Sequence, residues 1–348
     1  MMDTIIVGSG FSASVSYLLI KKQNPQVLAF SKINSLNKFL IKRKNLITNK
    51  FFSEKSSSYG NLNFIFKQNL KLHDRLNMGG NSNIWGGFID IANLSKYFTK
   101  ICEENWIKIN RLEYTYNGYK SNISSLRQLR DYRNNILDTS LYFNNFINGY
   151  LYSFEIQKNI ILLKYLNGED KEFKIIKTKK LILAISFPQL IDLLFRSGLL
   201  NNNILQLSDF TNKFEISFNK NLKMGNKNDC IIKYDFLRSL KHYFGYQKSL
   251  DKYNIPLPLY VKQTFANHPI IINLKLNSNL KCVKSLDNVI NFGTSIHYCN
   301  LLIDNINANN FLSNISKNII GVGMPFLDQK KPGPISGDIF NDITNKLI

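Results

Sequence analysis

The sequence predicts an α/β chain with one layered domain, a strand insert and a second, smaller sheet-based domain. Three observations predict it. Residues 3 to 20, DTIIVGSGFSASVSYLLI, pass from a β-branched apolar run through glycines into helical spacing. Residues 179 to 200, KKLILAISFPQLIDLLFRSGLL, follow the same order of strand, turn and helix. Between them GYLYSFEIQ, NIILLKYLNG and EFKIIKTKKL read as three successive strands, and Asn167-Gly168 marks a hairpin between the last two.

In chain order, TIIV is a buried parallel strand. Gly8, Gly10 and Ala13 then spell G-x-G-x-x-A, the alanine form of the dinucleotide fingerprint, directly before a helix. Gly8 permits a tight turn and Gly10 lets a pyrophosphate approach the backbone. Ala13 keeps the helix close to its strand, and the helix N-terminus offers unpaired N–H groups to phosphate. The expected domain is therefore Rossmann-like. QVLAF, residues 26 to 30, is the second strand. A carboxylate for ribose is expected about 20 residues beyond the fingerprint, but Ser31 and Lys32 stand there. A serine accepts a hydrogen bond without the charge or the two-oxygen geometry of a carboxylate. Lys32 leaves open a 2′-phosphate and hence NADP.

MGGNSNIWGG, residues 78 to 87, puts four glycines around one of two tryptophans. Glycine allows positive φ or close approach of a flat group. Further on, LILAIS is a buried strand, Pro188 an early helix residue and Ser197-Gly198 the helix stop. EISFNKNLKM and IIINLKL suit a smaller sheet for substrate. Asn318 to Val322 is a last strand, and a final helix starts near Gly337 after a loop holding Pro325, Pro332 and Pro334.

The net charge of +21 and pI near 9.7 raise the question of an anionic partner. The basic runs IKRKN, KTKK and QKK are short, and no zinc-finger or RNA-binding signature accompanies them, so no specific nucleic-acid surface is expected. Peripheral contact with an anionic surface stays open. With 44% hydrophobic and 13% aromatic residues the chain is expected to be folded rather than disordered. Cys102, Cys230, Cys282 and Cys299 are scattered without a CxxC pair, so no metal centre is expected. The start does not read as a signal peptide and no apolar run reaches the roughly 18 residues of a spanning helix. A cytoplasmic location is the expectation.

Four segments in order resemble the glucose-methanol-choline family of FAD-dependent oxidoreductases and their shorter bacterial relatives: IIVGSGFSA, GGNSNIWGG, residues 179 to 200, and residues 318 to 347. The resemblance implies an FAD-binding domain from residues 1–100, 150–212 and 286–348, a helical insert at 101–149 and a substrate domain at 213–285. It implies cofactor contacts at Gly8, Gly10, Ala13, Ser31, Gly79, Gly80, Ser82, Asn83, Trp85 and Gly86, with Ser186 standing where the family usually has glycine. It also implies that the final helix, with Gly337 and Asp338 at its start, points at the flavin's pyrimidine edge. Trp85 equally suits packing beneath the loop.

The implied reaction moves a hydride from an alcohol to the flavin while a base takes the hydroxyl proton, a role suited to histidine. The substrate class that the resemblance implies is a small molecule or carbohydrate, such as a sugar or polysaccharide precursor, with a trimmed and open site. His297 lies after Gly293-Thr294, which is similar to the family's Gly-Thr, although the family's base comes before that pair. His268, in ANHPIII, is the second candidate, with an x-Pro turn at a strand start as its plain reading. The alternative function is a non-catalytic binding component on a degenerate flavoprotein fold. The oligomeric state is not legible.

Overall fold

A computed structural model describes residues 1–30, 63–66, 78–80, 82, 87–111, 119–121, 124–143, 146–201, 203–217, 229–233, 260–276, 281–286, 298–328 and 335–348. The first part of the chain runs β1 (Met2–Val7), α1 (Phe11–Ile20), β2 (Gln26–Ala29), β3 (Asn63–Phe66), β4 (Phe88–Asp90), α2 (Tyr97–Glu104), β5 (Lys108–Arg111), β6 (Tyr119–Ser121) and β7 (Leu126–Arg130). The middle holds β8 (Ile147–Gln157), β9 (Ile160–Asn167), β10 (Phe173–Leu183), α3 (Phe187–Arg196), β11 (Ile204–Ser217), β12 (Asp229–Lys233), β13 (Tyr260–Leu276) and β14 (Lys281–Leu286). The last part is β15 (Cys299–Ile303), β16 (Ile306–Asn307), α4 (Ala308–Ile315), β17 (Ile319–Gly321) and α5 (Ser336–Leu347).

Parallel pairing sets the order β8-β2-β1-β10-β17. β8, β9 and β10 also form an antiparallel meander. The two arrangements share strands: β8 pairs with β2 only through Ile147 and Asn148, and β10 reaches β1 only from Thr178 onward. The pairings therefore close into a ring of β1, β2, β8, β9 and β10. The strand insert exists as expected, but it is continuous with the main sheet.

The alternation of β1 explains why the sheet is covered on both faces. Ile5 and Val7 join a core with Leu151, Phe154, Leu163 and Tyr165 of the meander and Leu190, Ile191 and Leu194 of α3. Ile6 joins the opposite core, with Ala13 and Val15 of α1 and Ile339, Phe340 and Ile343 of α5. α5 is also tied to β17, since Lys346 Nζ donates to Gly321 O at 3.1 Å and to Asp342 Oδ2 at 2.8 Å.

A second sheet runs β16-β15-β11-β13-β12-β6, with β14 beside β13 and β3 beside β14. Among the described residues it has eight strands against six in the first. Its strands also come from both sides of the 213–285 span. A third sheet, β4-β7-β5, has two of its three strands, β5 and β7, in the stretch expected to be a helical insert. Residues 101–149 contain the end of α2 and the strands β5, β6 and β7, because short, largely exposed strands such as Lys108–Arg111 carry little hydrophobic periodicity.

Of two local readings, one holds and one is corrected. The hairpin marked by Asn167-Gly168 joins β9 to β10, whose antiparallel register starts at Leu166 with Phe173; its loop runs on to Phe173, and the positive φ belongs to Lys171, at 62°. A Cβ on Gly168 would lie 2.3 Å from Asn148 Oδ1, so a side chain there would displace the Asn148 amide. His268-Pro269 lies inside β13 rather than at its start. Phe210 pairs with Pro269 and Asn212 with Phe265, so Ala266, Asn267 and His268 fall out of register next to a residue with no N–H to give the ladder.

Cys102 on α2 is buried, and burial, helped by Glu103, pushes its thiol from 9.0 up to about 12. A raised folded value stabilises the fold fully below pH 9, and that contribution is lost as pH rises through 12. The thiolate fraction at pH 8 falls by roughly 10³-fold. Alkylation of Cys102, followed by mass spectrometry, is therefore expected to be slower by about that factor in native chain than in urea; equal rates would contradict the buried placement. No helix among the described residues is long and apolar enough to cross a membrane.

Candidate functional site

The strand order reverses between β1 and β10, where a crevice opens beyond the carboxyl ends of parallel strands. Each strand end is held one residue past the sheet: Gly8 N donates to Leu28 O at 3.0 Å, Ala184 N to Val7 O at 2.9 Å, and Val322 N to Leu183 O at 2.9 Å. The three loops that follow, at Gly8–Ser12, Ala184–Phe187 and Gly323–Pro325, line one open cleft of about 130 Å³.

Gly8 takes φ +121°, and a Cβ on it would stand 2.3 Å from Ala184 O. The chain therefore turns hard against the neighbouring strand and enters α1, whose first helical bond is Ser14 N to Gly10 O at 3.0 Å. Ala13 is fully buried behind the cleft, packing α1 onto the sheet. The first loop is fastened to the 78–82 segment from both sides: Gly79 N donates to Ser9 Oγ at 2.9 Å and Phe11 N donates to Ser82 Oγ at 2.7 Å. Gly79 and Gly80 take φ of 84° and 50°.

A second helix begins at the same place. Ser186 precedes α3, Pro188 lies in its first turn, and Ser186, Phe187 and Gln189 line the cleft. Neither α1 nor α3 has an acidic residue in its first turn. Two helix N-termini thus face one cleft with their partial positive charge unopposed from within their own first turns, an arrangement that favours an anion.

On the β2 and β8 side the wall is formed by Phe30, Gly149 and Tyr150. Tyr150 reaches across to α3, where its hydroxyl donates to Asp192 Oδ2 at 2.6 Å, and Arg196 Nε donates to Asp192 Oδ1 at 2.9 Å. Asp192 is 1% exposed. Burial pushes its carboxyl above the ordinary 3.8, opposed by the Tyr150 hydrogen bond and by Arg196. The Arg196 guanidinium lies 4.2 Å from the Tyr152 ring centroid.

Of the residues expected in the site, the cleft brings together Gly8, Gly10, Gly80, Ser82 and Ser186, with Gly79 bonded to its rim through Ser9. Gly337 and Asp338 start α5 but are not among the residues lining the cleft; a Cβ on Gly337 would lie 2.4 Å from Asp90 O, away from it. Ser31, Asn83, Trp85, Gly86 and His297 lie outside the described residues. For His268 only its backbone position in β13 is described. No histidine stands among the described residues lining the cleft. Sequence reasoning missed Ser9, Tyr150 and Gly323. Ser9 occupies a variable position of the fingerprint, Gly323 follows a strand with the spacing of a turn, and nothing local marks Tyr150.

No protein-family model matches the chain, and no curated protein matches it. Solved structures similar to it include BexE, studied for oxidation during BE-7585A biosynthesis, at 5% identity and a TM-score of 0.31, covering 81% of this chain and 56% of that one. The substrate-free rebeccamycin biosynthetic enzyme REBC is 8% identical, with a TM-score of 0.39 over 99% of this chain and 61% of that one. A triple mutant of the flavin-dependent brominase Bmp2 is 10% identical, with a TM-score of 0.35 over 100% of this chain and 78% of that one. The chain spans less than two thirds of the length of the first two. At TM-scores below 0.5, such likenesses are too remote to carry its fold or chemistry.

Proposed function

We propose that the chain is an FAD-dependent oxidoreductase of the glucose-methanol-choline type that takes a hydride from an alcohol, with a sugar or polysaccharide precursor as the substrate class. One observation carries the reading: two helix N-termini without acidic first turns meet at the strand-order reversal, over a loop whose Gly8 has no room for a side chain. The residues present suit a diphosphate there, since Gly8, Ser9 and Gly10 bring a loop backbone with few side chains to the cleft at the start of α1. The loop from Gly8 to Ser12 and the N-terminus of α1 would hold the diphosphate, and Ser186, Gly323 and Met324 line the same cleft.

FAD supplies the hydride acceptor. The chain's own task is to hold the alcohol and take its hydroxyl proton, so that the two electrons leave with the hydride and the carbonyl forms. His297 is proposed for the proton; the next residue, Tyr298, is 5% exposed and lines the cleft. A binding component without catalysis is the second reading, favoured by Ser31 where a ribose carboxylate is expected and by Ser186 in a place usually held by glycine.

The visible spectrum of the purified chain tests the reading. Absorption bands near roughly 370 and 450 nm are expected; a colourless protein that takes up no added FAD would sink it. In yellow protein mixed anaerobically with candidate sugars, His297→Ala is expected to slow flavin reduction by about 10²-fold or more. An unchanged rate would move the role to His268, and no reduction by any alcohol would favour the binding component.

A further inference from the structure

The carboxyl end of β2 is where a nucleotide-binding sheet ordinarily presents a carboxylate to the ribose. Here the strand is followed by Phe30 and Ser31. The cleft wall at this end is aromatic instead. Ala29 pairs with Asn148, which makes Phe30 and the pair Gly149-Tyr150 neighbours across adjacent strands, and all three line the cleft. Gly149 cannot carry a side chain, because its Cβ would fall 2.4 Å from the Tyr165 ring.

Both rings are placed by contacts outside the cleft. Lys171 Nζ stands 5.7 Å from the centroid of Phe30. The Tyr150 hydroxyl is bound to Asp192, whose carboxylate is 1% exposed and held in turn by Arg196. A phenol anchored at its far end has little rotational freedom left to lose when a ligand arrives. Aromatic walls engage any nucleobase through its π-face and discriminate weakly between bases.

We infer that the chain grips the base of its nucleotide against Phe30 and Tyr150, in place of gripping the ribose with a carboxylate. This rests on the reading of the cleft as a nucleotide site, and the two can fail separately. The test is calorimetric titration of the full chain, freed of any bound flavin, with ADP, GDP and inorganic pyrophosphate. ADP and GDP are expected to bind within about 3-fold of each other, and both about 10-fold or more tighter than pyrophosphate. Tyr150→Ala and Phe30→Ala are each expected to weaken ADP by about 10-fold while leaving pyrophosphate unchanged. Tyr150→Phe keeps the ring and is expected to stay within about 3-fold of the parent. Phe30 stands past the end of its strand, so its replacement reads the wall even if Tyr150→Ala does not fold. ADP binding no tighter than pyrophosphate, or unchanged in Phe30→Ala, overturns the inference and leaves the nucleotide site standing. A chain that binds neither ADP nor pyrophosphate overturns both.

Discussion

Replacing Gly8 with alanine is expected to destabilise the chain by about 3 kcal/mol or more and to abolish FAD uptake. Two costs add. Gly8 sits at φ +121°, a region that L side chains rarely adopt, and the new Cβ would stand 2.3 Å from Ala184 O and 3.0 Å from its carbonyl carbon. Neither obstacle can swing aside. Ala184 is bonded through its N–H to Val7 O, directly beyond the register pair Val7 and Leu183, so moving its carbonyl means parting β1 from β10. Gly198 separates the two costs, because it has φ +72° with no atom within 4 Å of its would-be Cβ. Gly198→Ala is expected to cost about 1 kcal/mol. Urea denaturation of both variants decides the matter: equal losses would mean that close packing at the cleft floor contributes nothing.

The difference between those glycines was only partly legible in the sequence. β1, α1 and α3 could be read because their boundaries are written locally, by Gly8 and Gly10 at one end and by Pro188 and Gly198 at the two ends of α3. The ring of strands could not be read. Periodicity shows that Ile147–Gln157 is extended, but its partners, β2 at one end and β9 along the rest, are set by packing between distant segments. The second sheet was underestimated for the same reason, since β3 and β6 join it from far upstream. At the site, the fingerprint glycines announced themselves. Tyr150 did not, because an aromatic residue in a strand has many uses, and its role follows from Asp192 lying 42 residues further on.

Arg196→Met is expected to cost about 3 kcal/mol at pH 7, and much less near pH 4. The methionine keeps apolar contact near Tyr152 and removes the charge. Asp192 is then left buried, with the Tyr150 hydroxyl still donating to it against desolvation. Its folded value already lies above 3.8, so its contribution to stability is fully present below pH 3.8 and is lost as pH rises through the folded value. Removing the guanidinium raises the folded value further and carries the loss to higher pH. Acidification neutralises the carboxyl and so reverses most of the damage, the opposite of ordinary acid denaturation of a paired carboxylate. Adding Asp192→Asn to Arg196→Met removes the stranded charge while leaving an acceptor for Tyr150, and the double variant is expected to recover most of the lost stability at pH 7. Urea melts of the parent and both variants at pH 4.5 and 7 measure this. A loss in Arg196→Met that does not change with pH, or a double variant no more stable than the single one, would show that Arg196 acts through packing and not by holding the Asp192 charge beneath Tyr150.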